Sequence, residues 1–229
     1  IYDAFNDGIA NPQAIRDYLT YAYTSTAPAP PDYVLLLGDA TLDYHTNFPV
    51  KMPNFVPTQV MTSTLFGEVP SDNWFVMLAG NDPIPEMFIG RLVAQTPAEA
   101  ATMVAKIMSY QPDATWNTKT LFVADDDESK FRTNSDELMQ SLPHGYLTTT
   151  VYVTNTVPVT TYRNQIINTI NDGVVLVNYF GHGEYFGWGL TPGLKAADYI
   201  FHKEDVARLT NRDRLPVVTI ANCLNGAFA

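Results

Sequence analysis

Short apolar runs alternate with amphipathic helical stripes along this chain, and that alternation predicts an α/β protein. The apolar runs, interpreted as strands, lie at 33–37, 73–78, 88–93, 121–124, 147–153, 174–180 and 215–222. The helical stripes lie in a segment that begins at residue 12 and at 97–110, 135–142, 162–171 and 204–209. Strands that alternate with helices pair in parallel through right-handed crossovers. We therefore predict an α/β fold with mainly parallel, doubly wound sheets.

The break between two successive sets of strands and helices predicts two subdomains. Residues 111–119 contain one proline and follow no apolar period, which is typical of a boundary. We predict subdomains at 1–112 and 113–229. The first includes a long loop at 41–71 that crosses the strand ends. It also includes the helix 97–110, whose apolar side chains are expected to face inward: Ala100, Met103, Val104, Ile107 and Met108.

One histidine and one cysteine stand where this fold places its chemistry. His182 lies between Gly181 and Gly183, directly after the apolar run 174–180. Cys223, the chain's single cysteine, follows the run 215–222 and lies 41 residues after His182 (223 minus 182). The carboxyl ends of parallel strands share one sheet edge, so the two side chains are expected to face each other. A thiol nucleophile needs such a base, although each residue alone could be structural packing.

Two neighbouring features could serve this pair. The glycines permit unusual backbone angles and close approach, and the Gly183 N–H could bind a developing oxyanion. The acidic residues 125–128 end the strand 121–124 at the same edge, and one of them could orient His182. They could equally form a solvated turn or bind a structural calcium ion. No other cofactor is predicted.

Charge and composition narrow the classes of partner. The net charge is −11, with 24 acidic against 13 basic residues, which argues against a nucleic-acid partner. No apolar run approaches the roughly 18–20 residues that a membrane span requires. Abundant Thr, Tyr and Asn with few Lys and Arg favour an exported protein. The start at Ile1, without Met or signal peptide, predicts an excised piece. None of these features indicates an oligomeric state.

The motifs around the histidine and the cysteine resemble those of the gingipain family of cysteine peptidases, relatives of the caspases. Gly181-His182-Gly183 followed by Trp188 is similar to the family's His motif. Its Cys motif is similar to residues 215–218 running on to Asn222-Cys223-Leu224-Asn225-Gly226-Ala227-Phe228. Further similar stretches lie at 36–39, 71–73, 88–92 and 96–100. The resemblance implies two caspase-like subdomains, polypeptide substrates, and an extracellular or cell-surface bacterial protein.

The resemblance also implies roles for individual residues. Cys223 would be the nucleophile and His182 the general base and acid, with the N–H groups of Gly183 and Cys223 as the oxyanion hole. Asp127 best matches the family's third catalytic member, and Asp126 is one residue away. Phe131 stands near the place where arginine-specific members carry an acidic pocket residue. We therefore expect no strong preference for arginine at the cleaved position.

The chain departs from the family pattern in two ways. The spacing from His182 to Cys223 is longer than in the gingipains, with 184–202 as the expected insertion. The chain also stops six residues after Cys223 (229 minus 223), so we expect a C-terminally truncated fold. The predicted function is a cysteine endopeptidase that acts through a Cys223 thioester. Two rivals remain: a sortase-like processing transpeptidase with the same dyad, and a catalytically inactive α/β binding module.

Overall fold

The chain folds into two compact units, each containing parallel strands and helices. The computed structural model describes residues 1–25, 29–43, 47, 49, 52–80, 82–126, 128–154, 156–189 and 199–228. One unit comprises Ile1–Ile107 with Phe228–Ala229, and the other comprises Met108–Ala227. The division therefore falls after residue 107, whereas the sequence analysis places it after residue 112. Within these ranges, no helix is both long and apolar enough to span a bilayer.

The first unit is built on a small parallel sheet. Its described elements are α1 (Tyr2–Phe5), α2 (Pro12–Ser25), β1 (Tyr33–Leu37), β2 (Val60–Ser63), β3 (Gly67–Pro70), a 3-10 helix (Asp72–Val76), β4 (Phe88–Leu92) and α3 (Pro97–Ser109). Strands β1 and β4 pair in parallel, and β2 and β3 form an antiparallel hairpin. The core of this unit consists of Ile15, Leu19, Leu36, Phe75, Val76 and Met87.

Two sequence predictions in the first unit are wrong about secondary structure. The segment 73–78 is predicted to be a strand, but residues 73–76 belong to the 3-10 helix and residues 77–78 lie in no strand. Two adjacent residues of this helix, Phe75 and Val76, are fully buried in the core of the unit. The segment 41–71 is predicted to be a loop throughout, yet it contains both β2 and β3.

Two burial predictions in the same unit are also wrong. The helix α3 contains no buried residue, and the Met108 side chain is 78% exposed. Strand β1 was expected to be buried, but Tyr33 and Leu35 are exposed and only Leu36 is buried. Successive side chains of a strand point to opposite faces, and the core lies on only one face of β1.

The second unit contains a four-stranded parallel sheet and a smaller three-stranded one. Its described elements are β5 (Lys119–Ala124), α4 (Ser129–Gln140), β6 (Leu147–Tyr152), α5 (Val159–Asn171), β7 (Leu176–Phe180), β8 (Gly183–Glu184), β9 (Gly187–Trp188), β10 (Phe201–His202), a 3-10 helix (Lys203–Arg208) and β11 (Val217–Ala221). The main sheet has the order β11-β7-β5-β6, and every pair in it is parallel. The small antiparallel sheet has the order β10-β9-β8.

Helices cover both faces of the main sheet, which is the doubly wound arrangement predicted. Helix α5 packs on one face through the buried side chains Tyr162, Ile166 and Ile170. Helix α4 packs against β5 and β7. The central strand β7 is therefore buried along its middle, because both of its faces are covered.

The strand that leads to Cys223 differs from expectation. The sequence predicts that β11 is buried like β7, but all five of its residues are exposed. The physical reason is its place in the sheet: among the described strands β11 lies at the edge, paired only with β7. The apolar residues Val217, Val218 and Ile220 are consequently open to solvent.

Candidate active site

Hydrogen-bond register places His182 and Cys223 at the same level beyond the main sheet. Strands β7 and β11 pair in parallel up to Phe180 and Ala221. His182 and Cys223 each lie two positions after the last paired residue of their strand. The Gly181 N–H also donates to the Ala221 carbonyl at 3.3 Å, so the contact continues past the strand ends. The sheet itself therefore brings the histidine and cysteine segments side by side.

The two glycines beside His182 are required by close packing. A Cβ atom on Gly183 would lie 2.1 Å from Asn222 Nδ2 and 2.7 Å from the Cys223 carbonyl oxygen. A Cβ atom on Gly181 would lie 2.2 Å from Tyr179 Oη. Neither glycine has a positive φ angle, so the expected unusual backbone angles are absent from these two positions. The expected close approach of a second segment is observed.

The strand pairing also gives the direction of the Gly183 N–H. Gly189 donates to the His182 carbonyl at 2.8 Å, so these two residues form a hydrogen-bonded pair. Opposed residues of an antiparallel ladder alternate between bonded and non-bonded pairs. Gly183 and Trp188 are the next opposed residues, and they form the non-bonded pair. The Gly183 N–H consequently points away from Trp188, towards the outer edge of the small sheet.

A buried tyrosine holds the backbone of His182. Tyr179 Oη donates to the His182 carbonyl at 2.7 Å and accepts from the Gly189 N–H at 2.9 Å. The Tyr179 ring is fully buried and stacks on Trp188, with centroids 4.7 Å apart and planes 6° apart. The sequence analysis missed this residue because it counted Tyr179 as part of an apolar run. A tyrosine inside a buried strand was the available signal, since its hydroxyl needs a partner.

The imidazole of His182 lies beside acidic and aromatic side chains. Its Nε2 is 3.9 Å from Glu128 Oε1, and 32% of the His182 side chain is exposed. Phe131 meets the imidazole edge to face, with centroids 5.3 Å apart. The His182 N–H donates to Asp125 Oδ2 at 3.4 Å. Asp127, the third catalytic residue implied by the resemblance, lies outside the described residues.

A cavity of about 460 Å³ adjoins this acidic segment. It contains side chains of both charges, and its lining includes Asp126, Glu128, Ser129, Arg132, Thr133 and Thr154. The described residues contain no group of three or more His, Cys, Asp or Glu arranged to hold a metal ion. Calcium binding by the acidic segment therefore stays a prediction.

Cys223 stands on a tight turn and is exposed to solvent. Within the described residues, the thiol is therefore open to solvent and not packed in a core. The next residue, Leu224, has φ of 64°, the left-handed region, which costs an L-residue about 1 kcal/mol. The Asn225 N–H donates to the Cys223 carbonyl at 2.9 Å and closes the turn. Backbone strain of this kind is concentrated at functional sites.

The hairpin after His182 is supported by Tyr199. Its hydroxyl donates to Glu184 Oε2 at 2.5 Å. That hydrogen bond, together with burial, raises the pKa of Tyr199 above its ordinary value. The tyrosine therefore keeps its proton at neutral pH and acts as a fixed donor to the hairpin.

Comparison with known proteins agrees with this geometry. Gingipain R2 of Porphyromonas gingivalis is 27% identical over 208 residues, which cover 86% of this chain and 24% of that protein. Lys-gingipain W83 of Porphyromonas gingivalis is 24% identical over 237 residues, covering 97% of this chain and 11% of the relative. A crystal structure of the Arg specific cysteine proteinase gingipain R superposes with a TM-score of 0.72 at 23% identity. That superposition covers all of this chain and 48% of the solved one.

The fold and the arrangement of the site together identify the kind of protein. Parallel α/β units place a glycine-flanked histidine and an exposed cysteine after adjacent strands, and the fold is that of the solved gingipain R, a caspase-like fold. The sequence model of Peptidase family C25 matches residues 1–229, and the chain belongs to that family. The chain spans about half of the solved relative and about a quarter or less of these curated relatives.

Proposed function

We propose that this chain carries the catalytic residues of a cysteine endopeptidase, with Cys223 as the nucleophile and His182 as the general base and acid. The observation that carries the proposal is the shared register of β7 and β11, which presents both residues at one level. Membership of Peptidase family C25 supports the same reaction. Polypeptides are the proposed substrates.

In the proposed acylation step, His182 takes the proton from the Cys223 thiol. The thiolate attacks the carbonyl carbon of the scissile peptide bond, and the carbonyl π electrons move onto oxygen. When the tetrahedral intermediate collapses, the C–N bond breaks and protonated His182 gives its proton to the leaving amine. The product is a thioester between Cys223 and the acyl half of the substrate. Water, deprotonated by His182, then attacks the thioester and releases a carboxylic acid and the free thiol.

The proposed oxyanion hole consists of the backbone N–H groups of Gly183 and Cys223. The direction of the Gly183 N–H, away from Trp188, supports its share in this role. Backbone donors held in place before the reaction can lower the barrier by about 3–4 kcal/mol each. The proposed chemistry uses groups of the chain itself and requires no cofactor.

We further propose that the acidic segment supplies the carboxylate that orients His182. Resemblance to the gingipains favours Asp127, and the 3.9 Å distance to Nε2 favours Glu128. The isosteric variants Asp127→Asn and Glu128→Gln separate the two assignments. The orienting residue is the one whose amide variant lowers kcat, because the imidazolium then loses its counter-charge.

Turnover of a fluorogenic peptide library, followed by mass spectrometry, tests the proposed function. Wild type should release products with free carboxylates, and both Cys223→Ala and His182→Ala should abolish turnover. An acyl adduct on Cys223 should be trapped at short times. With an added amine, a product joined to that amine instead of water would indicate the transpeptidase. Peptide binding without any cleavage or adduct would indicate an inactive binding module.

We also propose that the protein acts outside the cell or at the cell surface. The low Lys and Arg content and the resemblance to the gingipains support this location. Detection of the chain in the medium or in surface-accessible fractions of its source cells would agree. Detection in the cytoplasm alone would contradict the proposal.

A further inference from the structure

The side chain of Asn225 connects the cysteine turn to the histidine hairpin. Its Nδ2 donates to the carbonyl oxygen of Glu184 and, at 3.2 Å, to that of Gly187. These carbonyls belong to opposed residues at the closed end of the β8–β9 hairpin. Its Oδ1 accepts from Asn222 Nδ2, on the other side of Cys223. One partly buried amide thus joins both flanks of the cysteine to the strand that begins at Gly183.

The chemistry of these contacts is specific for an amide. A primary amide offers two N–H protons, and two carbonyl oxygens face them here. The same side chain must also accept a hydrogen bond, which the carboxamide oxygen does. A carboxylate has the same shape but no proton to donate, so it would repel both hairpin carbonyls. Asn225→Asp therefore keeps the shape of the side chain, removes its two donors and adds a negative charge.

The neighbouring contacts show what these bonds hold in place. Asn222 Nδ2 occupies the space where a Cβ of Gly183 would lie, and the Cys223 carbonyl is next to it. Leu224, between the cysteine and Asn225, has the left-handed backbone conformation. A turn in this conformation relaxes easily unless neighbouring groups hold it. The Asn225 amide is the group that anchors the turn to the hairpin.

We propose that Asn225 is a positioning residue for the reaction, one that sets the placement of Cys223 against the Gly183 N–H and His182. This inference rests on the proposed function. In this role Asn225 acts through the turn and the hairpin, not on the substrate or the reacting atoms. Its loss should therefore impair the chemical step while the substrate-binding surface stays in place.

The test compares Asn225→Asp and Asn225→Gln with wild type in peptide turnover and in alkylation of Cys223 by iodoacetamide at neutral pH. Asn225→Asp should lower kcat on the order of 100-fold with KM within about threefold, as expected for a displaced nucleophile. Alkylation should slow to the rate of His182→Ala. Asn225→Gln, which keeps both donors on a longer stem, should retain more of kcat than Asn225→Asp.

Asn211→Asp is the matched control. Asn211 Nδ2 donates to the Arg214 carbonyl at 2.8 Å in the same unit, and the residue is buried. The control loses an equivalent amide donor, so it should lower the melting temperature and leave kcat per folded molecule unchanged.

Two results would overturn the proposal. One is that Asn225→Asp keeps the wild-type kcat and the wild-type alkylation rate. The other is that Asn225→Asp loses no more kcat than Asn211→Asp does. Wild-type protein without any turnover would instead reject the proposed function. In that case the alkylation rates alone decide whether Asn225 positions the thiol.

Discussion

The Tyr179 hydroxyl and the His182 carbonyl are joined by a hydrogen bond of 2.7 Å. This bond crosses from the buried middle of β7 to the residue proposed as the catalytic base. The same hydroxyl accepts from the Gly189 N–H, so one side chain bonds the residue before β8 and the residue after β9 at the open end of the hairpin. The position of His182 therefore depends on a group inside the core.

Tyr179→Phe should destabilise the protein and impair catalysis. The variant keeps the ring that stacks on Trp188 but removes the hydroxyl that bonds the His182 carbonyl and the Gly189 N–H. These two groups then keep only the hydrogen bond between them, and the loss costs about 1 kcal/mol. Chemical denaturation gives the free energy of unfolding, and peptide turnover gives kcat. Tyr162→Phe is the control, because it also removes a buried hydroxyl, one that bonds Thr154. The control should lose stability without losing kcat, and equal losses of kcat in the two variants would contradict the role of Tyr179.

Gly183→Ala should displace the cysteine turn. The new Cβ would meet Asn222 Nδ2 and the Cys223 carbonyl at distances that no atom pair tolerates. Overpacking of this kind costs about 1–3 kcal/mol, and the shift should lower kcat more than KM. Gly226→Ala, three residues after Cys223, is the control, because its Cβ would meet nothing within 4 Å. Retention of wild-type kcat by Gly183→Ala would show that the close approach is unimportant for the reaction.

The thiol of Cys223 should react faster near neutral pH than a free cysteine, because His182 can take its proton. His182→Ala should slow alkylation, and labelling reports on one site because the chain has one cysteine. His144→Ala is the control, since this exposed histidine precedes β6 and so lies near the opposite ends of the strands. Equal rates in wild type and His182→Ala would remove the histidine from the mechanism.

The sequence predicts the strands that carry the site because their local signals are strong. The run before His182 is short, rich in β-branched residues and closed by glycine, and it becomes the central strand Leu176–Phe180. The run before Cys223 likewise becomes Val217–Ala221, paired beside it in parallel. Parallel pairing followed from alternation with helices, which is a property of the whole pattern.

The sequence does not predict which side chains are buried or which partners they bond. The apolar stripe of α3 predicts an inward face, but burial depends on which elements stand opposite, and Met108 is exposed. The exposure of β11 has the same origin, since its pattern cannot say that it lies at an edge. The bonds of Asn225 join residues about 40 positions apart, and no local pattern predicts them.

Cleavage specificity should not be dominated by arginine. The aromatic Phe131 lies against His182, and the resemblance to the gingipains places it near the acidic pocket residue of the arginine-specific members. A library profile of the cleaved position checks this expectation, and Phe131→Asp should raise the relative rate of cleavage after Arg. A wild-type profile dominated by Arg or Lys would contradict it. Asp126 and Glu128, which line the neighbouring cavity, would then be the residues to substitute.

The edge strand β11 should promote self-association at high concentration. Val217, Val218 and Ile220 are 54%, 47% and 43% exposed on a strand at the edge of the described sheet. Exposed apolar edges pair with other chains, and a charged side chain discourages that pairing. Sedimentation velocity should show less association for Val218→Lys than for wild type. Val157→Lys is the control, because Val157 is similarly exposed but lies in no strand. An equal decrease in self-association in both variants would contradict a role for the edge strand.

The common register of β7 and β11 has a consequence for how such proteins can diversify. Strand pairing, not the length of the connecting chain, sets the level at which His182 and Cys223 emerge. Doubling the length of a flexible connection costs only about 0.6 kcal/mol in closure entropy. Of the 40 residues between His182 and Cys223, those between the β8–β9 hairpin and β11 can therefore gain or lose segments without moving the thiol relative to the imidazole. Evolution can reshape the surroundings of the reaction through this segment while the reaction itself is inherited unchanged.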